Sequence, residues 1–175
     1  MENKNDGASC TAEDIARSLF LAIHKPVDTI MDKLREQSTI ESNDMPRIEG
    51  ELMFYSWFCL DYWLWDTGSQ AVRNAFSATI TEYANNELMS EGEQYSLIYT
   101  SNRRNKQYVK IVNNSNNKNV FHHLSIILGD LCGLGTPSCS AIQFGILVTM
   151  AAPNLFTDAQ QYVYVAMKNM SYDEW

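Results

Sequence analysis

The run LMFYSWFCLDYWLW, residues 52–65, constrains what this chain can fold into more than any other feature. Apolar side chains fill it except at Ser56 and Asp61. It is too short to cross a bilayer, which takes about twenty apolar residues in a helix. Read at helical spacing from Pro46, a favourable first-turn residue, to about Asp66, its apolar residues keep to no single face. Ile48, Leu52, Tyr55, Cys59 and Tyr62 form one stripe, Phe54, Phe58 and Trp65 a second, and Met53, Trp57, Leu60 and Leu64 a third. A helix apolar all round belongs in the middle of a bundle or has one face against a partner.

The flanking sequence predicts more helices. Residues 1–10 read as a disordered lead-in. Thr11 and Asp14 imitate a capping box, with Asp where Glu or Gln is usual. Ile15, Leu19, Ile23, Val27, Ile30 and Leu34 follow at helical period. Pro26 falls inside that pattern and predicts a kink near residues 22–25. Thr67, Gly68 and Ser69 break the second helix. A third helix buries Val72, Phe76, Ile80 and Tyr83, and Ser90 with Glu93 caps a fourth carrying Leu97, Ile98, Tyr108, Val109 and Val112. An Asn-rich loop at 113–119 precedes a fifth helix over Val120–Leu131, stopped by Gly133 and Gly135. Thr136 and Pro137 open an uncharged sixth helix, in which Ala141, Gly145, Thr149 and Ala152 form a small-residue stripe, and Pro153 ends it. Thr157 and Gln160 cap a seventh, with Val163, Ala166, Met167 and Met170 inward. No alternating run supports a strand, and there is no internal repeat. The expectation is an all-α, single-domain bundle of six to seven helices over residues 11–170, the second and sixth central, with residues 171–175 as a tail.

The chain's 175 residues can bury a full core without disulfides or metals. Its net charge of −8 opposes nucleic acid as a partner unless basic residues cluster locally. Arg103, Arg104, Lys106, Lys110 and Lys118 are such a cluster, but little aromatic interleaving accompanies them, so a solvated face that pairs with carboxylates is the simpler reading. Cys10, Cys59, Cys132 and Cys139 include no C-x-x-C pair, and Cys59 and Cys132 sit in apolar runs as core residues. The polar N-terminal residues lack the apolar stretch of a signal peptide, which with free thiols predicts a cytoplasmic protein. The uncharged stretch 131–157 is broken by glycines and prolines and lacks basic anchors, so no membrane span is expected.

Candidate chemistry is sparse. His24, His122 and His123 form neither H-E-x-x-H nor Glu-x-x-His patterns, so no metal and no cofactor is expected. Arg17 and His24 share a face seven residues apart, a spacing found in some helical ribonucleases, but two residues carry little weight. The Gly-rich segment 129–137 has neither the G-K-[ST] of a P-loop nor a preceding strand, and a helix stop followed by a helix start explains it.

Asp61 is the anomaly. Its helical neighbours are Trp57, Phe58, Leu64 and Trp65, so its carboxylate must pair with an arginine such as Arg73, Arg17 or Arg103, or anchor an aromatic-lined pocket. The crowding of aromatics in the second helix favours a non-enzymatic module that contacts itself as a homodimer, or another protein. The alternative is a small-molecule site formed by Asp61, Trp57, Phe58 and Trp65, with no catalytic residue assigned.

Overall fold

The computed structural model describes residues 10–36, 45–86, 91–114 and 139–168. These form five α-helices and, among the described residues, no strand: α1 (Ala12–Glu36), α2 (Met45–Asp66), α3 (Gln70–Asn86), α4 (Glu91–Asn114) and α5 (Cys139–Met167). No helix among them is long and apolar enough to cross a membrane.

α1 begins where the sequence places it. The Thr11 amide donates to Asp14 Oδ2 at 3.2 Å, and the Asp14 amide donates back to Thr11 Oγ1 at 3.2 Å. Asp thus closes the box as Glu would, satisfying two amides that the first turn leaves open. The buried face is Ile15, Leu19, Ile23, Val27, Met31 and Leu34. Met31 takes the place expected for Ile30, which is only partly buried. α1 runs unbroken through Pro26, whose missing N–H leaves the Ala22 carbonyl without its usual helical donor. One turn on, the Thr29 hydroxyl donates to the Lys25 carbonyl at 2.9 Å.

α2 is the centre of the packing, in contact with α1, α3, α4 and α5. Leu52, Tyr55, Trp57, Phe58, Cys59, Leu60 and Leu64 are buried, and Phe54, Tyr62 and Trp63 are half-buried against the core. The aromatics stack on one another and on their neighbours: Tyr55 and Phe58 meet Tyr108 of α4 at 5.5 and 5.2 Å, and Trp57 meets Phe20 of α1 at 5.9 Å. The Trp63 ring lies 4.9 Å from that of Phe156 of α5, tilted by 52°, and its indole N–H donates to the Phe156 carbonyl at 3.0 Å. The excess of aromatics that suggested an exposed interface is therefore largely consumed inside the fold. Trp65 is the exception, 63% exposed on the last turn of α2.

Gly68 ends α2 with φ at +76°, a left-handed conformation in which a Cβ is strained. The Gly68 amide reaches the Trp65 carbonyl at 3.2 Å, and the Arg73 amide takes the Ser69 carbonyl at 3.1 Å to open α3. α3 buries Val72 and Phe76 and half-buries Ile80 and Tyr83. On α4, Tyr108 is buried as expected, whereas Val109 is 41% exposed because it turns away from α2.

One division of the chain is corrected. The sixth and seventh helices expected from the sequence are a single helix, α5, and Pro153 lies inside it. A proline removes one amide from the ladder and does not forbid the turns on either side. The Thr157 hydroxyl, expected as a cap, instead donates to the Pro153 carbonyl at 2.9 Å. Leu155, Ala159, Val163 and Met167 then give this half of α5 one buried face. The expected fifth helix, the 129–137 segment, Cys132, His122, His123 and Lys118 lie outside the described residues. So do the side chains of the small-residue stripe, and with them any test of a central sixth helix.

Candidate functional site

A cavity of about 110 Å³ lies among α2, α3 and α4. Each helix gives it four residues from one face. α2 contributes Phe54, Trp57, Phe58 and Asp61; α3 contributes Phe76, Ser77, Ile80 and Thr81; α4 contributes Ile98, Ser101, Asn102 and Asn105. These spacings are the 3- and 4-residue steps of adjacent helical turns. Three of the four residues singled out in the sequence therefore meet at this cavity. Trp65 does not line it.

Asp61 has the arginine partner expected of it and also lines the cavity. Its carboxylate is held by Arg73 of α3, which donates from Nε to Oδ1 at 2.6 Å and from Nη2 to Oδ2 at 2.8 Å. The two side chains are 21% and 31% exposed, so the pair is only partly desolvated. The hydrogen bond from Arg73 to Asp61 raises the arginine pKa further above its ordinary value. A fork of two parallel bonds fixes the direction of the carboxylate as well as its charge.

A second pair, not anticipated from the sequence, holds the opposite wall. Glu51 of α2 receives Arg104 Nε at 2.9 Å and Nη2 at 2.6 Å, and Arg104 Nη1 also reaches Gln107 Oε1 at 3.2 Å. Here the side chains are only 8% and 13% exposed. Glu51 and Asp61 are ten residues apart, about 15 Å along the helix. One α2 carboxylate thus grips α4 and the other grips α3. The advance signal was Arg104's membership of the basic cluster, whose expected pairing with carboxylates is met, among the described residues, at Arg104. Arg103, Lys106 and Lys110 lie instead along an outer face of α4 with Tyr99, Asn102 and Gln107.

Two polar atoms of cavity-lining residues are buried with no hydrogen-bond partner among the described residues: Trp57 Nε1, a donor, and Asn105 Oδ1, an acceptor. Buried polar atoms are nearly always satisfied, and an open one costs roughly 1–3 kcal/mol. Trp57 itself is fixed by ring contacts to Phe20, Phe54 and Tyr83.

His24 lies one layer behind, with its ring 4.9 Å from Phe20 and 6.3 Å from Tyr83. Burial lowers its pKa, opposed by the negative charges of Asp28 and Glu49. Arg17, its companion on the helix face, is engaged on the surface with Glu82 of α3 at 3.3 Å. Among the described residues, no group of three or more His, Cys, Asp or Glu side chains is placed to hold a metal ion. Cys59 is a free, buried thiol, and burial pushes its pKa well above the ordinary 9.0.

Fold and site together define a helical bundle with one small, half-polar cavity among three helices. No protein-family model matches the chain, and no curated protein or solved structure matches it.

Proposed function

We propose that this chain is a non-enzymatic binding protein whose cavity among α2, α3 and α4 takes a small, neutral, hydrogen-bonding molecule. The observation that carries this reading is the pair of unsatisfied polar atoms, Trp57 Nε1 and Asn105 Oδ1, on residues that line one cavity. Both atoms are closed to a water-sized probe as the side chains stand, so a ligand with an acceptor and a donor, such as a primary amide or a lactam, would complete both once Trp57 and Asn105 turn toward the cavity. Charge favours a neutral ligand. Among the described lining residues the one carboxylate is Asp61, and each of its oxygens is engaged by Arg73, so the pair offers a cation or an anion no net charge. Size favours a small one. About 110 Å³ is below the roughly 300–1,000 Å³ of drug-sized pockets, yet far above the roughly 10–15 Å³ that admits one water.

The test is a fragment titration followed by the indole N–H resonances of nitrogen-15-labelled protein. The Trp57 signal is assigned by its absence in Trp57→Phe. Small amides and lactams should shift that signal selectively, and Asn105→Leu should abolish the shift. If no fragment moves it at millimolar concentration, the cavity holds water alone and the reading fails.

Self-association, the other reading, now rests on less. Of the α2 aromatics only Trp65 stands in solvent, and a single exposed aromatic is ordinary on a protein surface. Light scattering would restore it if the protein proved to be a concentration-independent dimer. A cytoplasmic location belongs to the same proposal, supported by the free thiols of Cys10 and Cys59.

A further inference from the structure

A second cleft, of about 430 Å³, lies between α1 and α5, and no described residue of α3 or α4 lines it. Its α1 wall is Lys25, Pro26, Thr29, Ile30 and Lys33; Ala151, Leu155, Asp158 and Tyr162 are among the residues of the α5 wall. The floor is apolar, supplied by Pro26, Ile30, Ala151 and Leu155. Lys25 and Lys33 stand eight residues apart, about 12 Å along α1. They mark the two ends of the α1 wall. The volume falls within the range of small-molecule sites.

The charges at the cleft are positive on α1 and negative on α5. The chain's net charge is −8, and Arg17, Arg35, Arg73 and Arg104 each pair with a carboxylate. Lys25 and Lys33 form no ion pair among the described residues, although Asp158 lines the same cleft. An apolar trough lined by two lysines and one aspartate carries a net positive charge, which complements one chemical class, an anion carried on an apolar body. We infer that this cleft binds an amphipathic carboxylate, with its chain along Ile30 and Leu155 and its head on Lys25 or Lys33. Asp158 faces the same space and repels that head, so it limits affinity. This site shares no residue with the cavity among α2, α3 and α4 and does not depend on what that cavity binds.

The test uses octanoate, octanol and octylammonium, below micelle-forming concentrations, titrated into the full chain and followed by calorimetry and by backbone amide shifts of α1 and α5. Octanoate should bind most tightly, with shifts centred on residues 25–33 and 151–162, and its affinity should fall as salt rises. Lys25→Glu with Lys33→Glu should weaken octanoate at least tenfold and improve octylammonium. Both lysines are exposed, so circular dichroism and the thermal midpoint should stay near the parent's and separate lost binding from lost fold. Asp158→Asn should tighten octanoate. Equal binding of octanol and octanoate would reduce the cleft to an apolar groove and overturn the inference. Octanoate binding that survives the double charge reversal, or that weakens in Asp158→Asn, would overturn it as well, as would no binding at all.

Discussion

Replacing Glu51 with alanine should destabilise the protein more than any other single change of a charged residue described above. Glu51 and Arg104 are almost closed to water, at 8% and 13% exposure, and are joined by two short hydrogen bonds. Truncating Glu51 takes from that guanidinium the carboxylate that meets it through two short hydrogen bonds, and the bond to Gln107 supplies no charge in its place. Breaking a buried pair in this way costs roughly 3–5 kcal/mol, against a total stability of about 5–15 kcal/mol. For a chain of this size the thermal midpoint falls by roughly 2–4 °C per kcal/mol, so a drop of about 6–20 °C is expected. With a urea slope of roughly 2 kcal/mol per molar, the urea midpoint should fall by about 2 M. Removing both charges is a different perturbation. Glu51→Leu with Arg104→Met removes both charges of the pair together and should lie close to the parent or above it. The assay is urea unfolding of the parent, both single variants and the double variant, read as a thermodynamic cycle. A loss below about 1 kcal/mol in Glu51→Ala would equate the pair with a surface ion pair and refute the argument from burial. A double variant as unstable as the single ones would refute the claim that the stranded charge is what costs.

The Asp61–Arg73 pair is more open, so Asp61→Asn should cost about 2 kcal/mol, between the surface and buried limits, in urea unfolding; an unchanged or raised midpoint would show that Arg73 contributes nothing. Thiol reagents should modify Cys10 quickly and Cys59 only on unfolding, because burial keeps Cys59 both covered and protonated; fast labelling of Cys59 in native protein would contradict its place in the core. Burial depresses the pKa of His24 below its ordinary 6.5, so the unfolded chain takes up that proton first as pH falls. Its neutral form therefore contributes stability that is present above pH 6.5 and is lost as pH falls below it through the folded value. His24→Gln should lose less stability than the parent between pH 7.5 and pH 5.5, and equal losses would dismiss His24 as a source of acid sensitivity.

Much of the helical architecture was legible because the apolar period of α1, the cap at Thr11 and the stop at Gly68 are local signals. The fusion of two expected helices into α5 was not, because a proline reads the same in a linear sequence whether it ends a helix or is tolerated within one. Asp61 was conspicuous because its helical neighbours are aromatic, and Arg73 was among the arginines within its reach in sequence. Glu51 was not conspicuous. Arg104 lies 53 residues further on, and only the packing of α4 on α2 brings the two together. The cavity shows the same division. Trp57, Phe58 and Asp61 announce themselves by their setting, whereas Asn105 becomes significant only once α4 is seated and its amide oxygen has no partner among the described residues.

The position of α2 also sets how the molecule opens. Among the described residues α4 packs chiefly on α2 and α3 and is held to α2 by Glu51, so it can detach while α1, α2, α3 and α5 stay assembled. Nothing comparable frees α2, since all four other helices lean on it. Its central amides should therefore exchange with solvent only when the whole assembly comes apart, and those of α4 through a cheaper partial opening. The cavity has a wall from α4 and a floor from α2, so a ligand can enter by the partial opening without the chain passing through its unfolded state.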